Sequence, residues 1–138
     1  MRYLLDTNIF VYLRLDPVNL SRDVAAILQD YDSELYLSTE SIRELIVLYR
    51  HKNFLSKRWS SPIEMLHSIY DSDGIQLISP TKEDFETFAR LEPDAGHNDP
   101  SDHIIIAQAI TRNLPLISSD TRFPYYRPQG LDLIYNTK

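Results

Sequence analysis

A short apolar run, Tyr3-Leu4-Leu5, ends abruptly in Asp6-Thr7-Asn8, and a new apolar pattern (Ile9, Phe10, Tyr12, Leu13) begins at once. This reads as a buried strand, a sharp polar turn and a helix, with Asp6 at the strand's carboxyl end. In open α/β sheets that edge is where ligands bind. The chain is therefore constrained to fold so that Asp6 faces whatever else reaches that edge.

Strand and helix patterns alternate along the rest of the chain. A short helix is expected from about Ile9 to Arg14, broken by Asp16-Pro17. A second runs from Ser21, a plausible N-cap, to about Asp30, with Val24, Ile27 and Leu28 as its apolar stripe. Glu34 to Ser38 is a strand. Ser41 and Glu44 have capping-box spacing, or lie just inside a helix begun at Ser38 or Thr39. That helix carries Ile42, Leu45, Ile46 and Tyr49 at helical spacing, and Glu44 shares a face with Val47 and Leu48.

Residues 51–60 read as basic and irregular. Ser61-Pro62 starts a helix that runs to about Tyr70 and stops over Asp71 to Gly74. Ile75 to Ser79 is a strand, and Thr81 opens a helix with Phe85, Phe88 and Ala89 on its inner side. Asp99-Pro100-Ser101-Asp102 is a strong helix start, with Asp99 as N-cap and Pro100 at the first position. The helix body is apolar nearly all round, which predicts burial, and Asn113 can close it. Leu114 to Ser118 is a strand ending in Ser119-Asp120, residues 124–128 are irregular, and Leu131 to Tyr135 is a last, edge strand. Alternation of this kind predicts one α/β domain over residues 1–138, a three-layer α/β/α fold with a central, mainly parallel sheet flanked by helices.

In such a sheet the breaks at Asp6-Thr7-Asn8, Ser38-Thr39 and Ser119-Asp120 share one edge. Asp102 lies in the first turn of a helix that starts there, and Glu44 lies one or two turns into another. Asp6, Glu44, Asp102 and Asp120 can thus project into one crevice. Four carboxylates so close would repel or become protonated unless cations compensate them. Oxygen ligands without cysteine or paired histidine suit Mg²⁺ or Mn²⁺ rather than Zn²⁺. The chemistry such ions supply is hydrolysis of a phosphodiester. Each acid also has a plainer reading. Asp6 can cap the helix at Ile9, Asp120 can be a turn residue, Asp102 can be a dipole-favoured acid at N3, and Asp99 fits an N-cap better than a ligand. Glu44, on an apolar face, is the hardest to dismiss, because a carboxylate there wants a partner.

At this point the chain resembles the PIN-domain ribonucleases, and among them the VapC-type toxins of toxin–antitoxin pairs, over nearly its whole length. Leu5-Asp6-Thr7-Asn8 matches the opening motif, and Ser38-Thr39-Glu40-Ser41-Ile42-Arg43-Glu44-Leu45 resembles the second. The run from His97 to Ala109, with Asp102 as its acid, resembles the third, and Leu116 to Asp120 followed by Phe123 and Tyr126 resembles the fourth. The resemblance implies an Mg²⁺- or Mn²⁺-dependent endoribonuclease, a homodimer, and an antitoxin partner that covers the active site. It implies Asp6, Glu44 and Asp102 as core metal ligands, with Asp120 supporting a second metal or its water. Thr7 and Asn8, and with them Ser119, would position Asp6 or its water; ordinary turn and cap roles fit these three equally well. Many relatives carry an aromatic at Ser101 and an arginine at His103, so a phosphate contact there would be weaker or pH-dependent in this chain.

Composition narrows the alternatives. An apolar content of 43% fills one core, and the absence of cysteine removes thiolate metal sites and cysteine nucleophiles. The formal charge of −6 argues against a generic, charge-driven nucleic-acid binder, but suits an enzyme whose acids hold cations. No span-length apolar run or signal peptide is evident, so a cytoplasmic protein is expected. Three other readings stay open: a PIN-type RNA-processing nuclease without an antitoxin, a phosphotransfer domain of another α/β fold, and a catalytically silent partner-binding domain. Softer signals are the basic stretch Arg50, His51, Lys52, Lys57, Arg58 with Trp59, which fits an RNA track with a stacking ring or a solvated helix end. His97 fits a loop-stabilising hydrogen bond better than a substrate contact. Tyr12, Tyr31, Tyr36 and Tyr49 fit an antitoxin groove or core edges.

Overall fold

A computed structural model describes residues 1–51, 54–72 and 74–138. Lys52 of the basic stretch and Asp73 of the stop after Tyr70 lie outside the described residues. Five strands form one parallel sheet: β1 (Arg2–Leu5), β2 (Glu34–Ser38), β3 (Ile75–Ile78), β4 (Leu116–Ser118) and β5 (Leu133–Tyr135), in the order β3-β2-β1-β4-β5. The helices are α1 (Thr7–Leu15), α2 (Arg22–Gln29), α3 (Thr39–Arg50), α4 (Phe54–Arg58), α5 (Pro62–Tyr70), α6 (Lys82–Arg90) and α7 (Pro100–Arg112).

The pleat sends alternate side chains to opposite faces, and each face has its own core. Tyr3, Leu5, Leu35, Leu37 and Ile117 pack beneath Ile9, Phe10, Val24, Ile42, Leu45, Leu55 and Met65 of α1 to α5. Leu4, Leu116 and Leu133 pack on the other side against Ile105, Ile106 and Ala109 of α7, with Phe123 and Tyr126. This is the three-layer arrangement expected. The α7 helix is buried along most of its length, begins at the Asp99 cap and ends at Asn113 in the left-handed region (φ 52°).

Register places the site. Leu5 pairs with Leu37 on one side and Ile117 on the other, so Asp6, Ser38 and Ser118 stand side by side one step further along. The chain leaves β1 for β2 on one side and reaches β4 on the other. The sheet order therefore reverses at β1, the place where open α/β sheets leave a crevice.

Several local expectations are corrected. The first helix begins at Thr7, because Asp6 caps it. Residues 51–60 are not irregular throughout: Phe54–Arg58 forms α4, which buries Leu55. Residues 124–128 belong to a 3₁₀ segment, Phe123–Gln129, pinned by two buried rings. The inner side of α6 is not Phe85, Phe88 and Ala89. It follows Asp84, Thr87, Phe88 and Leu91, and Phe85 is exposed. The aromatics misled the phase, because a buried ion pair between Asp84 and Arg112, rather than an apolar stripe, faces α7.

Candidate active site

Asp6 is the N-cap of α1. Its Oδ1 accepts the Thr7 backbone N–H at 2.8 Å, and its Oδ2 accepts the Ser118 hydroxyl at 2.7 Å. Ser118 in turn accepts the Asp120 N–H at 3.0 Å. The cap reading of Asp6 holds, and the bonds that start the helix also fix its carboxylate at the sheet edge. Burial drives the Asp6 carboxyl up to about 6, against the pull of the two hydrogen bonds.

Glu44 lies in the second turn of α3, whose N-cap is Ser38; Ser41 is inside the helix and is no cap. The face it shares with Val47 and Leu48 is not buried, since those residues are 44% and 36% exposed. Glu44 finds its partner across the crevice instead, 2.9 Å from Thr7 Oγ1. Burial, then the Asp102, Asp6 and Asp99 charges, pushes its carboxyl up to about 7.

Asp102 is buried in the first turn of α7. Burial, then repulsion from Asp6, Asp99 and Asp120, lifts it to about 7, although the Arg122 guanidinium lies 3.6 Å away. Asp99 does cap α7, accepting the Ser101 N–H at 3.0 Å, and it also belongs to the cluster. Donor oxygens of Glu44, Asp99 and Asp102 lie within 4.8 Å of one another. Asp102 and Asp120 form a second such group with His97. Asp120 differs from the other acids. Burial raises it, but two Arg122 contacts at 3.0 and 2.7 Å overcome that and hold it below its ordinary value.

Among the described residues Asp102 belongs to both groups, Glu44 and Asp99 to one and Asp120 to the other, while Asp6 stands in neither and reaches Glu44 and Asp102 through its charge. The supporting residues are partly reassigned. Thr7 orients Glu44 and gives its N–H to Asp6, while Asn8 is exposed. Ser119 accepts from the Asn136 amide at 2.7 Å, and it is Ser118 that holds Asp6. His103 turns inward beside His97, with ring centroids 4.6 Å apart, so it does not offer itself to a phosphate. Trp59 is buried in the core beneath the Arg58 guanidinium and cannot stack a base. Tyr31 is 99% exposed, and the Tyr49 hydroxyl donates to the Trp59 carbonyl at 2.6 Å.

Sequence reasoning missed Ser118, Arg122, Tyr126 and Arg43. The Arg43 guanidinium meets Glu40 at 2.7 Å and Ser101 at 2.5 Å beside the cluster. Strand pleat, which separates Ser118 from Ser119, was the available signal for the first; the other three depend on tertiary approach.

The residues suit a divalent cation. Three carboxyls are pushed toward their neutral forms by burial and by one another, so their charges lack compensation. Oxygens of Glu44, Asp99 and Asp102 converge at ligand spacing, and the Asp6 charge acts on Glu44 and Asp102 from beside them, with no sulfur donor.

A family model described as the PIN domain matches residues 3–127. A comparison with curated proteins finds no match. Among solved structures, VapBC2 from Rickettsia felis, bound to a DNA fragment from its promoter, aligns at TM-score 0.70 and 18% identity, covering 98% of each chain. VapBC-1 from nontypeable Haemophilus influenzae aligns at TM-score 0.65 and 20% identity over 100% of each chain. A toxin–antitoxin complex from Klebsiella pneumoniae aligns at TM-score 0.63 and 19% identity, over 96% of this chain and 95% of the other.

Proposed function

We propose, starting from a chain that belongs to the PIN domain family, that it is a metal-dependent endoribonuclease and the toxin of a VapBC-type pair. The observation that carries the catalytic reading is the convergence of Asp6, Glu44 and Asp102 at the reversal point of the sheet, each with its carboxyl raised. Asp6, Glu44 and Asp102 would hold Mg²⁺ or Mn²⁺, with Asp120 and Asp99 beside them. The ion would supply a nucleophilic hydroxide at neutral pH and a counter-charge for the phosphodiester.

The chain's own groups do the rest. Ser118 and the Thr7 N–H fix both oxygens of Asp6, so it enters the site in one orientation. The Thr7 hydroxyl does the same for Glu44. Arg122 holds Asp120 by two contacts and remains half-exposed, which leaves its cationic edge at the rim where a phosphate would arrive. Arg43 sits at the same rim through Ser101.

The toxin reading rests on the likeness to the VapBC complexes and on a groove. Val11, Tyr12, Leu15 and Phe54, with Asp16, Lys57 and Arg58 as its charged residues, line a largely apolar hollow of about 480 Å³ on the later turns of α1. An antitoxin segment with apolar anchors and acidic flanks fits it. A homodimer and a cytoplasmic location belong to the same reading; no helix of the described residues is long and apolar enough to cross a membrane.

The test is cleavage of a mixed cellular RNA pool by purified, partner-free protein with Mg²⁺, Mn²⁺ or EDTA, and by Asp6→Asn. Discrete fragments that need both metal and Asp6 support the reading. Metal-independent cleavage, or full activity in nuclease-free Asp6→Asn, contradicts it.

A further inference from the structure

The end of β4 carries two residues of the site, and the sheet does not hold it. Pairing of β4 with β1 stops at Ile117 and with β5 at Ser118. Ser118 bonds Asp6, and Asp120, two residues further on, joins His97 and Asp102. Backbone beyond the last ladder bond needs partners of another kind. Asn136 supplies them. It follows β5 directly, is 1% exposed, and its backbone N–H donates to the Ser118 carbonyl at 2.8 Å.

Backbone groups fix which way the Asn136 amide faces. Its Oδ1 accepts the Ser21 N–H at 2.6 Å, and its Nδ2 donates to the Asn19 carbonyl at 2.9 Å. An N–H only donates and a carbonyl only accepts, so the amide cannot be reversed. Its second Nδ2 proton is then directed to Ser119 Oγ at 2.7 Å, with the Lys138 carbonyl further off at 3.5 Å. Both anchors are firm. Asn19 ends the 3₁₀ turn Pro17–Asn19 and donates to Asp16, the C-cap of α1, from its side chain at 2.6 Å and its backbone at 3.1 Å. Ser21 is the N-cap of α2.

We infer that Asn136 is a positioning residue: it braces the end of β4 against the α1–α2 connection, and so sets where Ser118 meets Asp6 and where Asp120 enters the acidic cluster. The pleat turns Ser118 and Ser119 to opposite faces. Asp6 therefore grips the strand end on one face and Asn136 on the other. Asp120 comes next, with its N–H on Ser118 Oγ at 3.0 Å. The consequence for metal binding rests on the metal-centre reading of the cluster; the brace itself does not.

The test is hydrogen exchange at the Asp120 backbone N–H of metal-free protein, with Mn²⁺ titrations, for the wild type, Asn136→Ala, Ser119→Ala, Ser119→Thr and Arg112→Leu. Ser119→Ala breaks one bond at a half-buried residue and leaves the Ser21 and Asn19 bonds in place, so its fold should survive. Both alanine variants should speed local exchange at Asp120 several-fold. Both should weaken Mn²⁺ binding, Asn136→Ala by about tenfold. Ser119→Thr keeps the hydroxyl and should retain both properties. Arg112→Leu loses stability at the far end of α7 and should leave both as in the wild type, which separates positioning from a general loss of stability. Unchanged exchange and affinity in folded Ser119→Ala overturn the inference, whether or not Asn136→Ala folds. So does an Arg112→Leu protein altered as much as Ser119→Ala. A wild type that binds no Mn²⁺ overturns the metal-centre reading and the part of Asn136 in it; faster Asp120 exchange in Ser119→Ala then still upholds the brace.

Discussion

Thr7 Oγ1 lies 2.9 Å from Glu44 Oε1 and 2.8 Å from Ser41 Oγ, tying the start of α1 to the second turn of α3. A hydroxyl has one proton, so Thr7 gives it to the carboxylate and accepts from Ser41. Two acids of the cluster are thus held by one residue, since the Thr7 N–H binds Asp6. Thr7→Val keeps the shape and removes the hydroxyl. It should cost about 1 kcal/mol in denaturant unfolding and weaken Mn²⁺ binding several-fold, while Thr7→Ser retains most of both.

The raised carboxyls make metal-free stability depend on pH in an unusual sense. Asp6, Glu44 and Asp102 titrate at about 6, 7 and 7 in the folded protein, against roughly 4 when unfolded. Between those values these three carboxyls bind more protons in the folded state than in the unfolded one, and they outnumber His97 and His103, whose imidazoles burial holds low and which work the other way, so stability falls as pH rises. Asp84 and Asp120 are held low, so their contribution is lost only as pH falls below the ordinary carboxylate range. Calorimetry in EDTA should show Tm falling from about pH 4.5 to about pH 7.5. Asp6→Asn should flatten that fall and raise Tm at neutral pH. A Tm that rises over this window contradicts the electrostatic account.

The Asp84–Arg112 pair is purely structural. Asp84 is 1% exposed and closes a capping box with Thr81, and Arg112 reaches it at 2.8 Å from α7. Arg112→Leu strands a buried charge and should cost about 2 kcal/mol, discounted for the solvent that Arg112 still meets. The double variant Asp84→Asn/Arg112→Leu should be less damaged than Arg112→Leu in chemical denaturation. Equal losses would mean that the Asp84 charge, left without Arg112, costs nothing.

The sheet and most of the site were legible because local chemistry and global position agreed. Asp6 and Ser38 sit where strands stop and helices start, Asp99 sits where a loop gives way to α7, and cap residues announce such points in the sequence. Order of elements then brings Asp6, Glu44 and Asp102 to one edge. What stayed hidden depends on distances the chain does not encode locally. Ser118 and Ser119 look alike in sequence, and only the pleat of β4 decides which meets Asp6. Trp59 beside Lys57 and Arg58 fits a stacking contact or a solvated helix end in sequence, yet burial in the α1–α5 core takes its ring. His103 and Tyr126 are drawn inward by a pocket that forms only when the 3₁₀ turn packs on α7.

The central claim is that this pocket is a metal centre, and the most direct measurement is an Mn²⁺ titration of partner-free protein followed by the electron paramagnetic resonance of free Mn²⁺. The account predicts saturable binding that competes with Mg²⁺, weakens on acidification as the raised carboxyls take up protons, and is lost in Asp6→Asn while that variant stays folded. Absence of binding in a folded, partner-free sample at neutral pH, or binding unchanged by Asp6→Asn, would contradict it.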